Sequence, residues 1–77
     1  MDESEAGLNE KLLAAHNSGD SAALVDLYCR AADMADEADD IDRVCFFLVH
    51  AYVYALESGH MKADEIRKRL RRHGRED

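Results

Sequence analysis

The sequence has no proline, no threonine and no tryptophan, and it holds only four glycines and two cysteines in 77 residues. Without proline, nothing in the chain forbids an interior helical hydrogen bond. The remaining β-branched residues are four Val and two Ile, too few to build a sheet. Cys29 and Cys45 form no CxxC pair, so neither a disulfide framework nor a thioredoxin-like redox motif is indicated. Long hydrophobic runs are missing too. The longest stretch of low charge, Val44 to Leu56, is thirteen residues and includes His50, too short to cross a bilayer. The start Met1-Asp2-Glu3 is acidic and lacks the apolar segment of a secretory leader. These absences predict a cytoplasmic protein with reduced, buried thiols and no membrane partner.

What remains is helix-forming material. Ala, Leu, Glu, Lys and Arg dominate, and all favour the helix. Seventy-seven residues allow one domain and lie near the size at which a single core barely suffices. Twelve of the 36 apolar residues are Ala, and only five residues are aromatic. A core so light gives an energetic reason for self-association or for binding another protein. Charge is divided unevenly. Residues 1–60 carry a balance of −10 and residues 61–77 a balance of +3. An acidic body argues against nucleic acid as the main partner.

Turn signals recur every twenty residues, at Ser18-Gly19-Asp20, Ala38-Asp39-Asp40 and Ser58-Gly59-His60. Gly19 and Gly59 suit a left-handed helix end, while Asp20 and Asp40 can accept the free amides of the following helix. The apolar spacing predicts an all-α domain over 1–77, with helices at about 5–18, 21–38, 41–58 and 61–73. Sequential helices joined by tight turns are antiparallel hairpins, and helix should exceed about 70% of residues. Folding at Asp39–Asp40 sets Ala31 opposite Leu48, Tyr28 opposite Ala51, Leu24 opposite Ala55, and Cys29 opposite His50. Folding at Gly59 sets Leu56, Val53 and Val49 near Ala63, Ile66 and Leu70. Folding at Ser18–Gly19 brings Leu13 near Val25.

The stretch Leu48, His50, Ala51, Tyr52, Ala55 and Leu56 resembles the second helix of a tetratricopeptide or Sel1-type repeat, where a small residue, an aromatic and an Ala recur. His60 falls near the position usually held by Pro. Leu24 and Leu27 match the first helix of such a unit, but Tyr28 takes its small-residue place and Ala31 its aromatic one. The halves are also spaced about eight residues too far apart. The resemblance spans about Gly19 to His60. It implies a helical-hairpin interaction module and carries no catalytic residue.

Each candidate for chemistry has a structural counterpart. Asp33, Asp36, Glu37, Asp39, Asp40 and Asp42 crowd one turn, but no mid-loop Gly or terminal bidentate Glu makes a calcium loop of them. They read as a solvated, capping turn. Cys29, Cys45 and His50 are one ligand short of a closed zinc site and lie in apolar runs, so they read as core groups rather than as a thiol–imidazole pair. His16, His60 and His73 sit near helix ends, where the dipole suits them. No HExxH, GxSxG, P-loop or dinucleotide fingerprint occurs. No enzyme, metal or cofactor is expected.

Two surfaces remain. The third helix carries a polar line of Arg43, His50 and Glu57, flanked by Phe46, Phe47, Val53 and Tyr54. Either the first or fourth helix covers these aromatics, or another chain does. Phe46, Phe47, His50, Val53 and Tyr54 are therefore the candidate partner interface, with a homodimer as one form. Arg67, Lys68, Arg69, Arg71, Arg72 and Arg75 form a basic cluster that supports a rival, a small nucleic-acid-binding regulator. No aromatic residue interleaves that cluster for base stacking. The favoured expectation is a non-catalytic protein–protein interaction module.

Overall fold

A computed structural model of the chain describes residues 5–74 and contains four helices. These are α1 (Glu5–Ser18), α2 (Ser21–Glu37), α3 (Ile41–Ser58) and α4 (Ala63–Arg72). Helix accounts for 84% of the described residues and no strand occurs among them. The all-α architecture expected from composition is the one observed.

The twenty-residue recurrence is a recurring turn. In each of the first three helix ends the closing residue is left-handed: Gly19 at φ 69°, Asp39 at φ 60° and Gly59 at φ 64°. The next residue then returns its amide to a carbonyl five positions back. Asp20 donates to Ala15 at 3.0 Å, Asp40 to Ala35 at 2.9 Å and His60 to Ala55 at 2.8 Å. This six-to-one closure satisfies a carbonyl that the helix end would otherwise leave open. Asp20 and Asp40 also start the next helix, accepting the amides of Ala23 at 3.1 Å and Arg43 at 3.3 Å. One residue closes a helix and opens its successor, so the chain reverses in minimum length.

The third turn uses His60, whose Nδ1 accepts the Lys62 amide at 3.1 Å. A ring nitrogen bonding two residues ahead does not reach the third amide that an Asp cap engages. The chain therefore takes an extra turn through Met61 and Lys62, and α4 begins at Ala63 rather than 61 and ends at Arg72. Likewise α2 ends at Glu37, one residue before the expected limit, as Asp39 turns left-handed.

The backbones of α2 and α3 run close together along their length, α1 approaches α2, and α4 approaches α3. Each helix thus packs chiefly on its sequence neighbour. Ala31, Ala32 and Ala35 of α2 and Ala51 and Ala55 of α3 are all buried, among Leu24, Tyr28 and Leu48. Alanine at these places lets the helix axes approach while the larger side chains fill the gaps. The expected register of α2 on α3 fits the ring positions: Tyr28 lies 5.2 Å from His50 and 6.0 Å from Tyr54, bracketing Ala51.

Three expectations need correction. Leu13 is 65% exposed and does not cover Val25, which is buried. The buried stripe of α1 is Leu8, Leu12 and Ala15, and one residue on from Leu12 turns about 100° away from it. Cys29 does not oppose His50; Tyr28 does, and Cys29 is instead under the charges of Lys62 and Arg69. Val49, Val53 and Leu56 are not covered by α4 and stay exposed.

Three substitutions test this packing and its turns. Leu48→Ala is expected to lower stability by about 2–5 kcal/mol, because it opens a cavity between α2 and α3. Leu13→Ala should change it by less than about 0.5 kcal/mol. Asp39→Gly should raise stability by about 0.5–1 kcal/mol, since glycine accepts the left-handed angle and the change removes an anion from a helix C-terminus. Urea denaturation followed by circular dichroism measures all three.

Candidate interaction surface

α3 is the most apolar helix, and its sides meet different surroundings. Val44, Leu48, Ala51 and Ala55 turn inward and are fully buried. Cys45 is buried beside them. On another side Phe46, Val49, Val53 and Leu56 are 57%, 46%, 47% and 59% exposed. These four follow a 3-4-3 spacing and so form one straight stripe along α3. They are four of the seven large apolar residues exposed among the described residues, so exposure is concentrated on this helix.

The cause is the seat of α4. Only Ile66 and Leu70 give it a fully buried stripe, one turn long. Two cations of this segment reach α2: Lys62, which precedes the helix, has Nζ 3.1 Å from Asp26, and Arg69 has Nη2 3.1 Å from Asp33. Both acids lie on α2. These pairs link one edge of α4 to α2 while its backbone packs on α3, and the outer stripe of α3 stays exposed. The Asp26 hydrogen bond also raises the Lys62 ammonium above the ordinary lysine value.

The expected interface of Phe46, Phe47, His50, Val53 and Tyr54 therefore divides. Phe46 and Val53 belong to the exposed stripe. Phe47 and Tyr54 are half-buried and pack on the core. The Tyr54 ring stacks on Tyr28, 6.0 Å away at 5°, and meets His16 of α1 edge-on at 5.7 Å. His16 Nε2 is 3.0 Å from the Tyr28 hydroxyl, which gives that buried phenol a partner. Burial, with Tyr54 next, pushes the Tyr28 hydroxyl above the usual tyrosine range. These rings join α1 to α3 across α2. His50 lies between the two sets, its Nδ1 2.9 Å from the Phe46 carbonyl, which accepts from the protonated nitrogen. Sequence reasoning missed Val49 and Leu56, although their 3-4-3 spacing with Phe46 and Val53 was legible.

A second feature is a groove of about 160 Å3 between α1 and α3, floored by α2. Leu8 and Leu12 form one wall and Phe47 the other, above Ala31, Ala35 and Ala38. The small floor makes the groove. It is large enough for one apolar side chain, and Asn9, Asp40 and Arg43 stand at its end. The Arg43 guanidinium lies 5.5 Å over the Phe47 ring.

The basic cluster is largely occupied within the chain. Arg67 and Lys68 both pair with Asp64, at 3.3 and 3.5 Å, and Arg69 pairs with Asp33. Arg71 and Arg72 are exposed, and Arg75 lies outside the described residues. Among the described residues no group of three His, Cys, Asp or Glu could hold a metal, the acidic turn included. No described helix is long and apolar enough to cross a membrane.

Cys45 is buried and Cys29 partly so. Burial pushes the Cys29 thiol above its usual value, despite the nearby Lys62 and Arg69. A thiol held protonated is a poor nucleophile. Both cysteines should label slowly with a thiol reagent near neutral pH, Cys45 more slowly than Cys29, and quickly once denatured. Mass spectrometry of timed reactions checks this. Replacing Arg69, Arg71 and Arg72 together by Ala should change stability by no more than about 1–2 kcal/mol, because exposed pairs contribute about 0–1 kcal/mol each.

No protein-family model matches the chain, and neither a curated protein nor a solved structure is similar to it.

Proposed function

We propose that this chain is a non-catalytic helical interaction module that offers the outer stripe of α3 to another protein chain. The observation that carries the reading is the line of Phe46, Val49, Val53 and Leu56, each about half exposed, on the helix whose opposite side is the most fully buried. An apolar stripe held on a rigid support loses little entropy when covered. Removing it from water gains about 25 cal/mol per Å2 of apolar area. The inward residues Val44, Leu48, Ala51 and Ala55 fix the rotation of α3 and hence the direction of the stripe. The resemblance of α2 and α3 to a repeat hairpin supports the same class of function.

The nucleic-acid reading gains nothing from the geometry, since Arg67, Lys68 and Arg69 already neutralise carboxylates of this chain. A photo-crosslinking amino acid at position 53 tests the interaction reading in the native cell. A discrete protein adduct is expected, and it should disappear when Phe46→Glu is added. Absence of any protein adduct would contradict the reading.

A further inference from the structure

We propose that the partner is a second copy of this chain, its α3 lying antiparallel on the first with Phe46 against the second copy's Leu56 and Val49 against its Val53. This rests on the reading above, and it adds both the identity of the partner and the register.

The spacing is the first argument. Residues 46, 49, 53 and 56 alternate steps of three and four, the pattern of a two-helix seam in which each side chain enters a gap opposite. The second is symmetry. Positions 46 and 56 are equally distant from Ala51, and so are 49 and 53. Reversing the helix about Ala51 lays the stripe onto itself, with the larger side chains paired at the ends and the β-branched valines at the centre. A surface that is its own complement under a two-fold is what an isologous dimer requires.

Charge selects the antiparallel direction. Arg43, His50 and Glu57 recur at seven-residue intervals, so they form one edge of the seam. In the antiparallel pair Arg43 of each copy lies two residues, about 3 Å along the axis, from the level of Glu57 of the other, a gap its long side chain spans, and this occurs twice over. His50 faces its own mate near the axis. Glu57 is exposed and has no ion pair or side-chain hydrogen bond among the described residues. Arg43 already lies over the Phe47 ring. A guanidinium carries five donors in a planar fork, so it can serve more than one partner at once. A parallel pair would instead bring together the two acidic N-terminal ends, each with Asp40 and Asp42, and would oppose the helix dipoles less favourably.

Size sets the strength. Eighteen residues give a strip about 27 Å long and about 10–12 Å wide. That is well below the roughly 800 Å2 per partner of a standard stable interface. The dimer is therefore weak and concentration-dependent, with a dissociation constant on the order of micromolar or above.

Sedimentation velocity on the full chain across a wide concentration range tests this, with circular dichroism to confirm folding of every variant. The wild type is expected to pass from monomer to dimer. Val53→Glu should remain monomeric with unchanged helix content, the position being half exposed in the single chain. Arg43→Glu and Glu57→Arg should each weaken the dimer several-fold, and the two together should restore it. A wild type that stays monomeric at every concentration overturns the proposal. So does a dimer that survives Val53→Glu, or one that the double exchange fails to rescue. If position 53 crosslinks only to a different protein, this inference falls while the interaction reading stands. If it crosslinks to nothing, both fall.

Discussion

The close contact between α2 and α3 is the constraint on which the rest of this structure depends. Alanines on both helices let the backbones approach, and Leu24, Tyr28 and Leu48 fill the space that remains. In a chain with one third of its apolar residues as Ala, closeness replaces bulk. The consequence is that α3 turns only Val44, Leu48, Ala51 and Ala55 fully inward on this contact. Phe46, Val49, Val53 and Leu56 are left on another side of the helix. The outer stripe is the remainder of that division, and the short buried stripe of α4 cannot cover it.

Turns and charges then decide where the flanking helices lie. The same left-handed closure at residues 19, 39 and 59 gives α1, α2 and α3 one mode of reversal. Two of these turns hand over directly to an Asp cap. The third hands over to His60, and the different reach of an imidazole delays α4 by two residues. Once begun, α4 packs on α3, and Lys62 with Asp26 and Arg69 with Asp33 link its edge to α2. Lys62 with Asp26 is exposed at both partners and Arg69 with Asp33 at the acid, and surface pairs of this kind contribute little stability alone. With α4 seated in this way Val49, Val53 and Leu56 stay exposed.

Local features were legible in the sequence because their causes are local. Helix ends followed from Gly19, Gly59, Asp20 and Asp40, whose backbone preferences act within a few residues. The pairing of Tyr28 with Ala51 followed from counting outward from one turn. Placement of α4 did not follow, because hairpin counting gives level along a helix but not rotation around it. It matched Val53 with Ile66 by height, whereas Ile66 is buried and Val53 stays about half exposed. Leu13 failed for the same reason, as one residue's step around α1 separates a buried Leu12 from an exposed neighbour. At the candidate site, Phe46 and Val53 were found from their setting. Phe47 and Tyr54 were grouped with them because the sequence does not show that His16 and Tyr28 already engage those rings.

The central claim is that the outer stripe of α3 pairs with the same stripe of a second copy of this chain. Backbone amide spectra of the labelled protein, recorded over increasing concentration, test it most directly. The account predicts progressive shifts confined to α3 around Phe46, Val49, Val53 and Leu56, with their rim at Arg43, His50 and Glu57, while Leu8 and Leu12 in the groove wall stay fixed. Spectra that do not change with concentration, or changes centred on α1 or on the basic face of α4, would contradict it.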